Sequence, residues 1–572
     1  MSVHGFYASI LTLLTLYAHK NTVAKNSNRP RLNVLGLKLT KHDTGAALIA
    51  GGEIVAVAEE RVNRVKHSPD MFPHLSIDYC LEALGIKDED IDLIVMDQVG
   101  LRSKIDMEKL FLQKTGERFK NAEIHVINHH DAHAASAFFA SPFEHSAVLV
   151  YDGAGEMFET HHGVFATETE TLYTGVGNTL HQIQKTTHIR EGKIFPYTFG
   201  IGKLYNFISE FYLGFGAYNE GKMMGLAPYG NPSVLKDIPE ERWYKDHEGH
   251  VLCNSDITFP RGPMLSKVVS VSAPGRIVRK LRKIGSNTLK RVSTQALRSR
   301  YTTPHIFPTI KLAKPPRTKE DPLPDDYYTS VAYAVQCVLE KVANLWGRKL
   351  KNITQSENLC VAGGVGLNID ANKNFLDEVG FKRIFIQPGS SDTGVPLGCA
   401  LYGYHVIKEM PRFFTMHSAS LGRKYSPEEI QKALQDVESQ ITVKKSASIA
   451  EDVAALLDSG SIIGWFQGGA EYGPRALGNR SILCDARQAT MKDTLNERVK
   501  HREGWRPFAA SVLAERAHDY FALSHESPFM LLAAPVHIEK RSEVPAIVHV
   551  DGTCRIQTVT QPANGRYYDL IK

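Results

Sequence analysis

The feature that most constrains the fold is a helix start that carries two histidines and lies directly before a buried strand. Asn128 is a good helix N-cap and is followed by alanines, so residues 128–138 are predicted to begin a helix. His129 and His133 are four residues apart and therefore face the same side of that helix. Two imidazoles at this spacing can bind one metal ion. The alternative is a capped helix with two partly exposed histidines.

Two carboxylates at strand ends extend this pattern. A buried strand over residues 147–151 ends at Asp152 and a glycine turn, and a second strand over residues 384–387 leads to Asp392. A carboxylate at a strand end can complete a site of two histidines and one carboxylate, which suits iron(II), manganese or zinc. Two such carboxylates facing each other across a cleft would suit one metal.

The order of strands and turns predicts a duplicated α/β fold. Three strands are expected over residues 32–39, 46–50 and 53–58, and a second hairpin begins within residues 148–155. Two hairpins with small polar loops indicate a two-lobed architecture with phosphate-binding loops, which resembles the actin-like ATPase superfamily. A later strand, residues 359–362, runs into a glycine turn and a helix, which is the geometry that cradles a nucleotide or its phosphates. The candidate binding residues in that turn are Gly363, Gly364 and Asn368.

Length and composition indicate an ordinary globular protein of several units. The 572 residues correspond to about three or four domain-sized units. The net charge of +5 is small for this length and disfavours nucleic acid as a partner. Seven dispersed cysteines without a CxxC motif indicate the reduced thiols of a cytoplasmic protein. The apolar run at residues 10–18 is too short to span a bilayer, and residues 1–32 are expected to be an N-terminal extension.

Two segments of biased composition interrupt the predicted fold. Residues 199–230 are rich in glycine and include Lys222, which indicates close backbone approach to a ligand; the alternative is an irregular connector. Residues 261–319 contain, after Gly262, fourteen Lys or Arg and no Asp or Glu. This segment is predicted to be a basic surface insertion. It could contact an anionic partner or a membrane surface, but a solvated insertion is the plainer interpretation.

A C-terminal module is expected after a junction at residues 411–427. It begins near residues 462–468 and continues into the glycine-containing run 471–481. Several basic residues among glycines indicate a cleft for a triphosphate or an acyl phosphate, and the alternative is surface Arg and Lys. The basic residues concerned are Arg475, Lys500, Arg506 and Arg555.

Together, these motifs resemble one family, the O-carbamoyltransferases of NodU/CmcH type. The motifs that carry the resemblance are His42-Asp43, Ala58-Glu59-Glu60-Arg61, HHxxHAASAFFxSPF, NEGKMMGLAPYG, AGGVGLN and EYGPRALGNRSIL. The resemblance covers about residues 33–572. It implies that residues 33–410 form a domain like that of the tRNA threonylcarbamoyl-transfer proteins, and that residues 428–572 form a YrdC-like domain.

The resemblance also implies two half-reactions. The YrdC-like domain joins carbamoyl phosphate and ATP into carbamoyl adenylate, using the four basic residues for phosphates. The first domain then transfers the carbamoyl group to a hydroxyl of a small molecule such as a sugar, an antibiotic or another secondary metabolite. By matching motifs, Fe²⁺ or a similar divalent metal would be held there, and His42 would be the general base. The implied metal ligands are His129, His133, Asp152 and Asp392.

The expected partners are the hydroxyl acceptor, ATP, carbamoyl phosphate and a second copy of the chain in a homodimer. A membrane is not expected as a partner. Two other functions stay open: a tRNA-directed transfer of threonylcarbamoyl type, and a catalytically silent nucleotide-binding protein.

Members of the family continue past the point equivalent to Lys572 with a strand, a loop and a helix. The YrdC-like domain is therefore expected to be C-terminally incomplete and to lack one wall of its cleft.

Overall fold

Two sheets with the same strand pattern form the framework of the chain. A computed structural model describes residues 32–161, 164–191, 198–247, 249–260 and 307–572. Residues 1–31 of the predicted extension and residues 261–306 of the predicted insertion lie outside the described residues. The elements below confirm the predicted α/β class.

The first lobe contains one sheet and the helices that follow its strands. Its elements are β1 (Val34–Lys38), β2 (Gly45–Ala50), β3 (Glu53–Ala58), α1 (Glu59–Asn63), α2 (His74–Leu84), β4 (Leu93–Gln98), α3 (Lys104–Thr115), β5 (Glu123–Asn128) and α4 (His129–Phe138). The strand order is β3-β2-β1-β4-β5. β1 pairs antiparallel with β2 and parallel with β4, and β4 pairs parallel with β5. The carboxyl ends of β1, β4 and β5 therefore lie at the same edge of the sheet.

The second lobe repeats this pattern with longer strands. Its elements are β6 (His145–Tyr151), β7 (Met157–His161), β8 (Val164–Val176), β9 (Thr179–Glu191), β10 (Thr198–Phe199), α5 (Ile201–Phe207), α6 (Glu220–Leu226), β11 (Tyr244–His247), β12 (His250–Asn254), β13 (Ile257–Thr258), β14 (Ile310–Lys311), α7 (Asp326–Thr354), β15 (Asn358–Ala362), α8 (Ile369–Asp377), β16 (Arg383–Ile386) and α9 (Val395–Tyr402). β6 pairs antiparallel with β8 and parallel with β15, which pairs parallel with β16. β6 thus occupies the place that β1 has in the first lobe, which confirms the duplication.

Helices α4 and α9 lie between the two sheets and contact each other closely. A Cβ atom added at Gly398 of α9 would lie 1.8 Å from the carbonyl oxygen of Ala132 in α4. Likewise, a Cβ atom at Gly36 of β1 would lie 2.1 Å from the carbonyl oxygen of Pro396. Both approaches require a residue without a side chain, and together they fix the first two turns of α4 relative to β1.

The C-terminal module is a smaller α/β unit. Its elements are α10 (Pro427–Gln435), α11 (Ile449–Asp458), β17 (Ile463–Phe466), β18 (Arg480–Leu483), α12 (Met491–Thr494), β19 (Ala509–Leu513), α13 (Ala517–Tyr520), β20 (Leu532–Pro535), β21 (Thr553–Val559) and α14 (Gln561–Ile571). β17 pairs with β18, and β21 lies between β19 and β20. Tyr567 and Leu570 of α14 pack into one apolar cluster with Val453 and Trp465.

Two segments predicted as a junction and an insertion are bonded into the fold. In the predicted junction, the Met416 N–H donates to the Ala140 carbonyl, and the Leu421 carbonyl accepts from the Ala56 N–H. Residues 307–319, the last part of the predicted basic insertion, include β14, which pairs with β13. Ile310 and Leu312 are buried there, because this stretch is apolar between its lysines. Among the described residues, no helix is both long and apolar enough to cross a membrane.

The contact between α4 and α9 provides a stability test. Gly398→Ala should destabilise the two lobes by about 1–3 kcal/mol, because the added methyl group has no space against α4. Gly464→Ala is the matched control, since nothing lies within 4 Å of a Cβ atom at that position. The measurement is thermal unfolding of both variants. Equal midpoint temperatures of unfolding for the two variants would show that α4 and α9 can move apart without a loss of stability.

Candidate functional site

Four side chains from three separate parts of the chain meet where the two lobes face each other. His129, His133, Asp152 and Asp392 each offer one ligand atom, and these atoms lie within 4.8 Å of one another. His129 Nε2 lies 3.7 Å from Asp152 Oδ2 and 3.4 Å from Asp392 Oδ1. His133 Nε2 lies 3.5 Å from the same Asp392 oxygen. These four residues, hereafter the His/Asp cluster, are the set that the sequence predicted.

Local sequence explains how each side chain reaches the cluster. Asn128 caps α4 by accepting from the N–H groups of His130 and Asp131, so both histidine ligands stand in the first two turns of the helix. Asp152 follows β6, and its Oδ1 atom accepts a hydrogen bond of 2.8 Å from the Gly364 N–H. This bond leaves the Oδ2 atom free to face His129. The third histidine of the motif, His130, turns away and bonds Thr171 at 2.8 Å.

The donor atoms of the cluster fit a divalent metal ion. Both histidines of the cluster are fully buried, which rules out the partly exposed alternative. His129 Nε2 and both ring nitrogens of His133 have no hydrogen-bond partner among the described residues. Unpartnered buried nitrogens are costly unless a ligand satisfies them. Two imidazoles and two carboxylates suit iron(II), manganese or zinc.

Two further buried residues, Lys38 and Asp97, support the cluster and were missed in the sequence. Asp97 Oδ2 accepts from His129 Nδ1 at 2.8 Å, which directs the Nε2 atom of that ring toward the other ligands. Lys38 Nζ lies 3.4 Å from Asp97 Oδ2 and 3.1 Å from Asp392 Oδ2. The strand-end rule that selected Asp152 would also have selected Asp97, which stands near the end of β4.

The charges in this region depend strongly on one another. Burial alone would lower the pKa of His129, but Asp392, Asp152 and Asp97 outweigh it and raise that pKa well above its ordinary value. Burial alone would raise the pKa of Asp392, but Lys38 and His129 outweigh it and hold that pKa well below the ordinary range. The carboxylates are therefore ionised at neutral pH and available as ligands.

The predicted base, His42, lies at the edge of the cluster. Its Nδ1 atom is 3.3 Å from Asp43 Oδ2, and its Nε2 atom is 3.8 Å from Asp392 Oδ2. The side chain is 30% exposed, so an incoming molecule can reach it. Asp43 Oδ1 is also 2.7 Å from His67 Nδ1, and the Tyr218 ring packs against both imidazoles at centroid distances of 4.5 and 4.7 Å. His67 and Tyr218 were not recognised in the sequence, because nothing in their spacing links them to His42.

The predicted glycine turn contacts the cluster from behind. Gly363 has φ +93°, and a Cβ atom there would lie 2.4 Å from the Tyr151 carbonyl oxygen. Asn368 caps α8 by accepting from the Ala371 N–H, and it exchanges hydrogen bonds with Gln336. In this structure the direct contact between the turn and a site residue is the Gly364 bond to Asp152.

Lys222 lies at the contact between the second lobe and the C-terminal module. Its Nζ atom is 2.8 Å from Glu503 Oε1, and the other oxygen of Glu503 is 3.6 Å from Arg506. His549 Nε2 lies 3.1 Å from the Gly225 carbonyl oxygen on the same helix as Lys222. Helix α6 is therefore tied to the C-terminal module at both ends.

The basic residues predicted for phosphate binding influence one another electrostatically. Burial, followed by Arg555 and Arg506, lowers the pKa of Arg475 well below its ordinary value. Burial also lowers the pKa of Arg555 to about 10, with a further contribution from Arg506. Burial lowers the pKa of Lys500, with Arg502 and Arg506 adding to it. The cationic cluster is therefore defined as Arg475, Lys500, Arg502, Arg506 and Arg555.

This cationic cluster has the character of an anion site. The pKa of Arg502 falls to about 10, first through burial and then through Arg506 and Arg555. The Nε atoms of Arg475 and Arg555 are buried without a hydrogen-bond partner among the described residues. Several cations that lie together, partly exposed, and repel each other bind a polyanion such as a phosphate chain favourably. Arg502 was missed in the sequence, although it stands between Lys500 and Arg506.

Comparison with known proteins identifies the family. Residues 33–123 and 118–401 match the family described as Carbamoyltransferase N-terminus, and residues 454–572 match Carbamoyltransferase C-terminus. The chain belongs to the carbamoyltransferase family. These are group-transfer enzymes, and the His/Asp cluster lies within the N-terminal match while the cationic cluster lies within the C-terminal match.

Relatives of this carbamoyltransferase extend over most of its length. An uncharacterized protein of Synechocystis sp. is 34% identical over 94% of this chain and 88% of that protein. The nodulation protein NolNO of Sinorhizobium fredii is 32% identical over 93% of this chain and 71% of that protein. Among solved structures, HypF of T. kodakarensis is 14% identical, with a TM-score of 0.33 over 68% of this chain and 49% of that chain.

The cluster geometry predicts the effect of removing one ligand from this carbamoyltransferase. His129→Ala should weaken metal binding by at least about 10-fold, because even changes behind the ligands commonly cost 10–100-fold. His145→Ala is the control, since His145 is an exposed histidine on β6. The measurement is metal content per chain after dialysis against a fixed free metal concentration. Equal metal content in the two variants would disprove the ligand assignment.

Proposed function

We propose that the C-terminal module of this carbamoyltransferase hydrolyses carbamoyl phosphate to carbamate and phosphate, and joins the carbamate to ATP to give carbamoyl adenylate and pyrophosphate. The carbamoyl group then passes to a hydroxyl of a small molecule, such as a sugar, an antibiotic or another secondary metabolite, at the His/Asp cluster, and AMP leaves. The observation that carries this proposal is the presence of two different polar sites in one chain, a cluster of partly exposed cations and a buried cluster of metal-type ligands. A reaction in the cytoplasm agrees with the use of ATP and with seven free cysteines.

The cationic cluster suits the first half-reaction. ATP and carbamoyl phosphate are both polyanions, and guanidinium groups bind phosphate oxygens through paired, charge-assisted hydrogen bonds. Arg475 and Arg555 each retain a buried Nε–H that no described residue accepts. These donors can take up the phosphate oxygens of either substrate. Burial and then mutual repulsion lower the pKa values of Arg475 and Arg502, and a bound anion would relieve that repulsion.

The His/Asp cluster suits the second half-reaction. Its four residues would hold a divalent ion such as Fe²⁺, which when bound supplies Lewis acidity toward the carbonyl group being transferred. The clustered side chains are buried, so water has little access to a reactive acyl group there. The cluster opens toward His42, whose exposed edge is where an acceptor can enter.

His42 can remove the proton from the acceptor hydroxyl. When its Nδ1–H group donates to Asp43, the Nε2 atom is the free base, and this atom points toward the cluster. Asp43 also bonds His67, so its carboxylate is held from two sides and keeps the His42 ring in place. The Tyr218 ring covers both imidazoles and forms one side of the entry.

The role of His42 predicts a selective loss. His42→Asn should lower acceptor-dependent turnover by about 10²–10⁴-fold, since general-base catalysis contributes that range. Metal content and pyrophosphate release should stay within twofold of the unmodified protein, because His42 belongs to neither the ligand set nor the C-terminal module. The measurement compares transfer from supplied carbamoyl adenylate with pyrophosphate release. Transfer that keeps its full rate and its pH profile would rule out His42 as the base.

The role of the cationic cluster predicts the opposite loss. Arg555→Met should lower carbamoyl-phosphate-dependent pyrophosphate release by about 10–100-fold, which corresponds to one charged hydrogen bond. Arg487→Met is the control, because Arg487 is an exposed arginine of the same module that pairs with Asp458 and Asp485.

Supplied carbamoyl adenylate separates the two sites. Arg555→Met protein should transfer the carbamoyl group from this compound at an ordinary rate once a panel of polyhydroxyl acceptors has shown a substrate. Absence of pyrophosphate release from the unmodified chain, with carbamoyl phosphate and ATP both present, would instead favour a nucleotide-binding protein without this chemistry.

A further inference from the structure

The cluster region contains one more carboxylate than the ligand set and one fully buried lysine. Asp97 lies behind His129, and Lys38 bridges Asp97 and Asp392 at 3.4 and 3.1 Å. Both side chains are at most 1% exposed, so no bulk water screens their charges. Charges in such a setting interact far more strongly than charges at the surface.

The charges in this pocket balance for an ion of charge +2. Asp97, Asp152 and Asp392 supply three negative charges, and Lys38 supplies one positive charge, while the two histidines bind a metal in their neutral form. The side chains therefore carry a net charge of −2, which one divalent ion neutralises. A trivalent ion would leave a buried excess of +1, which is unfavourable.

We infer that Lys38 sets the charge preference of the His/Asp cluster: its ammonium group offsets the negative charge of Asp97 and so makes the cluster select a divalent over a trivalent metal ion. This inference rests on the metal-dependent part of the proposed function. Lys38 and Asp97 are positioning residues, since neither is a ligand and both act through Asp392 and His129.

A phosphate-binding role for Lys38 does not fit its surroundings. The lysine is 0% exposed, and its Nζ atom is held by two carboxylates that outweigh it in charge. An anionic ligand would have to approach past those carboxylates. Among the described residues, Arg475 and Arg555 of the C-terminal module each have a buried Nε atom without a hydrogen-bond partner, which suits an anion better.

Removing the charge of Lys38 should affect a trivalent ion more than a divalent ion, because Coulomb repulsion grows in proportion to ion charge. Lys38→Met keeps a similar length and removes the charge. Asp97→Asn removes one negative charge, so it should shift the preference in the opposite direction. The double variant removes both charges and should resemble the unmodified protein. The charges of His42 and Asp43 are the same in all four proteins, so they do not affect the comparison.

The experiment measures dissociation constants for Zn²⁺ and for Ga³⁺ (supplied with citrate as a buffer for the free ion) in the four full-length proteins. Neither ion is redox active, so the ratio of the two constants reports charge preference directly. Lys38→Met should raise the relative affinity for Ga³⁺ at least about 10-fold, and Asp97→Asn should lower it. The double variant should return to within about threefold of the unmodified protein. Lys87→Met, an exposed lysine on the surface, serves as the control and should cause no change.

A second measurement guards against poor folding of the single variant. The iron-loaded proteins are titrated for the midpoint potential of the Fe³⁺/Fe²⁺ couple, in which a 10-fold change in relative affinity equals about 59 mV. Lys38→Met should lower this potential by at least that amount. Where Lys38→Met does not fold, Asp97→Asn must still raise the potential, and the double variant must still match the unmodified protein.

The outcomes separate the two claims. One outcome is that the unmodified protein binds Zn²⁺ at the cluster and that the ratio of the Zn²⁺ and Ga³⁺ dissociation constants is the same in all variants. That outcome overturns the role of Lys38 and leaves the proposed function standing. A double variant that keeps the shift of Lys38→Met also overturns it, because the effect would then come from packing and not from charge. An unmodified protein that binds neither ion overturns both the role of Lys38 and the metal-dependent part of the proposed function.

Discussion

The arrangement of the site depends on one electrostatic constraint, the burial of three carboxylates in the narrow space between two lobes. Three ionised aspartates within a few ångströms of each other would repel strongly without compensation. The structure stabilises them with the ammonium group of Lys38 and with the His129 Nδ1–H group that donates to Asp97, and it leaves two histidine rings with nitrogens that no described residue satisfies. The proposed divalent cation would offset the remaining charge and satisfy these nitrogens. The close contact between α4 and α9 is needed because it keeps these groups within reach of one another.

A second constraint links the two lobes to the C-terminal module. Helix α6 contributes Lys222 to an ion pair with Glu503 and the Gly225 carbonyl to a bond with His549, while Arg61 of the first lobe donates to the Gly473 carbonyl. Glu503 lies at the border of the cationic cluster through its contact with Arg506. The proposed carbamoyl adenylate, if it forms in the module, would therefore have a fixed neighbour in the second lobe, which suits its passage between sites in one chain.

Much of this fold could be predicted from local sequence signals. The strand-end position of Asp152, the cap at Asn128 and the i, i+4 spacing of the histidines are all readable, because turns and helix starts are encoded by neighbouring residues, whereas Asp392 lies six residues past the end of β16, at the start of a short helical turn. Lys38 and Asp97 were missed although both stand at strand ends, since their pairing joins residues 59 positions apart. His67 and Tyr218 contact His42 only through tertiary folding. The glycine turn after β15 stays a predicted nucleotide site, and the structure adds a bond from its Gly364 N–H to Asp152. That contact depends on the pairing of β15 with β6, which joins segments far apart in the sequence.

The most direct measurement follows both half-reactions in the same protein before and after metal removal. Carbamoyl-phosphate-dependent pyrophosphate release and transfer from supplied carbamoyl adenylate are recorded with the metal-loaded chain, with the chelator-treated chain and after metal is returned. If the two sites are separate, chelation should abolish transfer but leave the rate of pyrophosphate release within about twofold of the metal-loaded chain. Returned Fe²⁺ should then restore transfer. Transfer that continues at full rate in the metal-free chain would contradict the assignment of the His/Asp cluster as the transfer site.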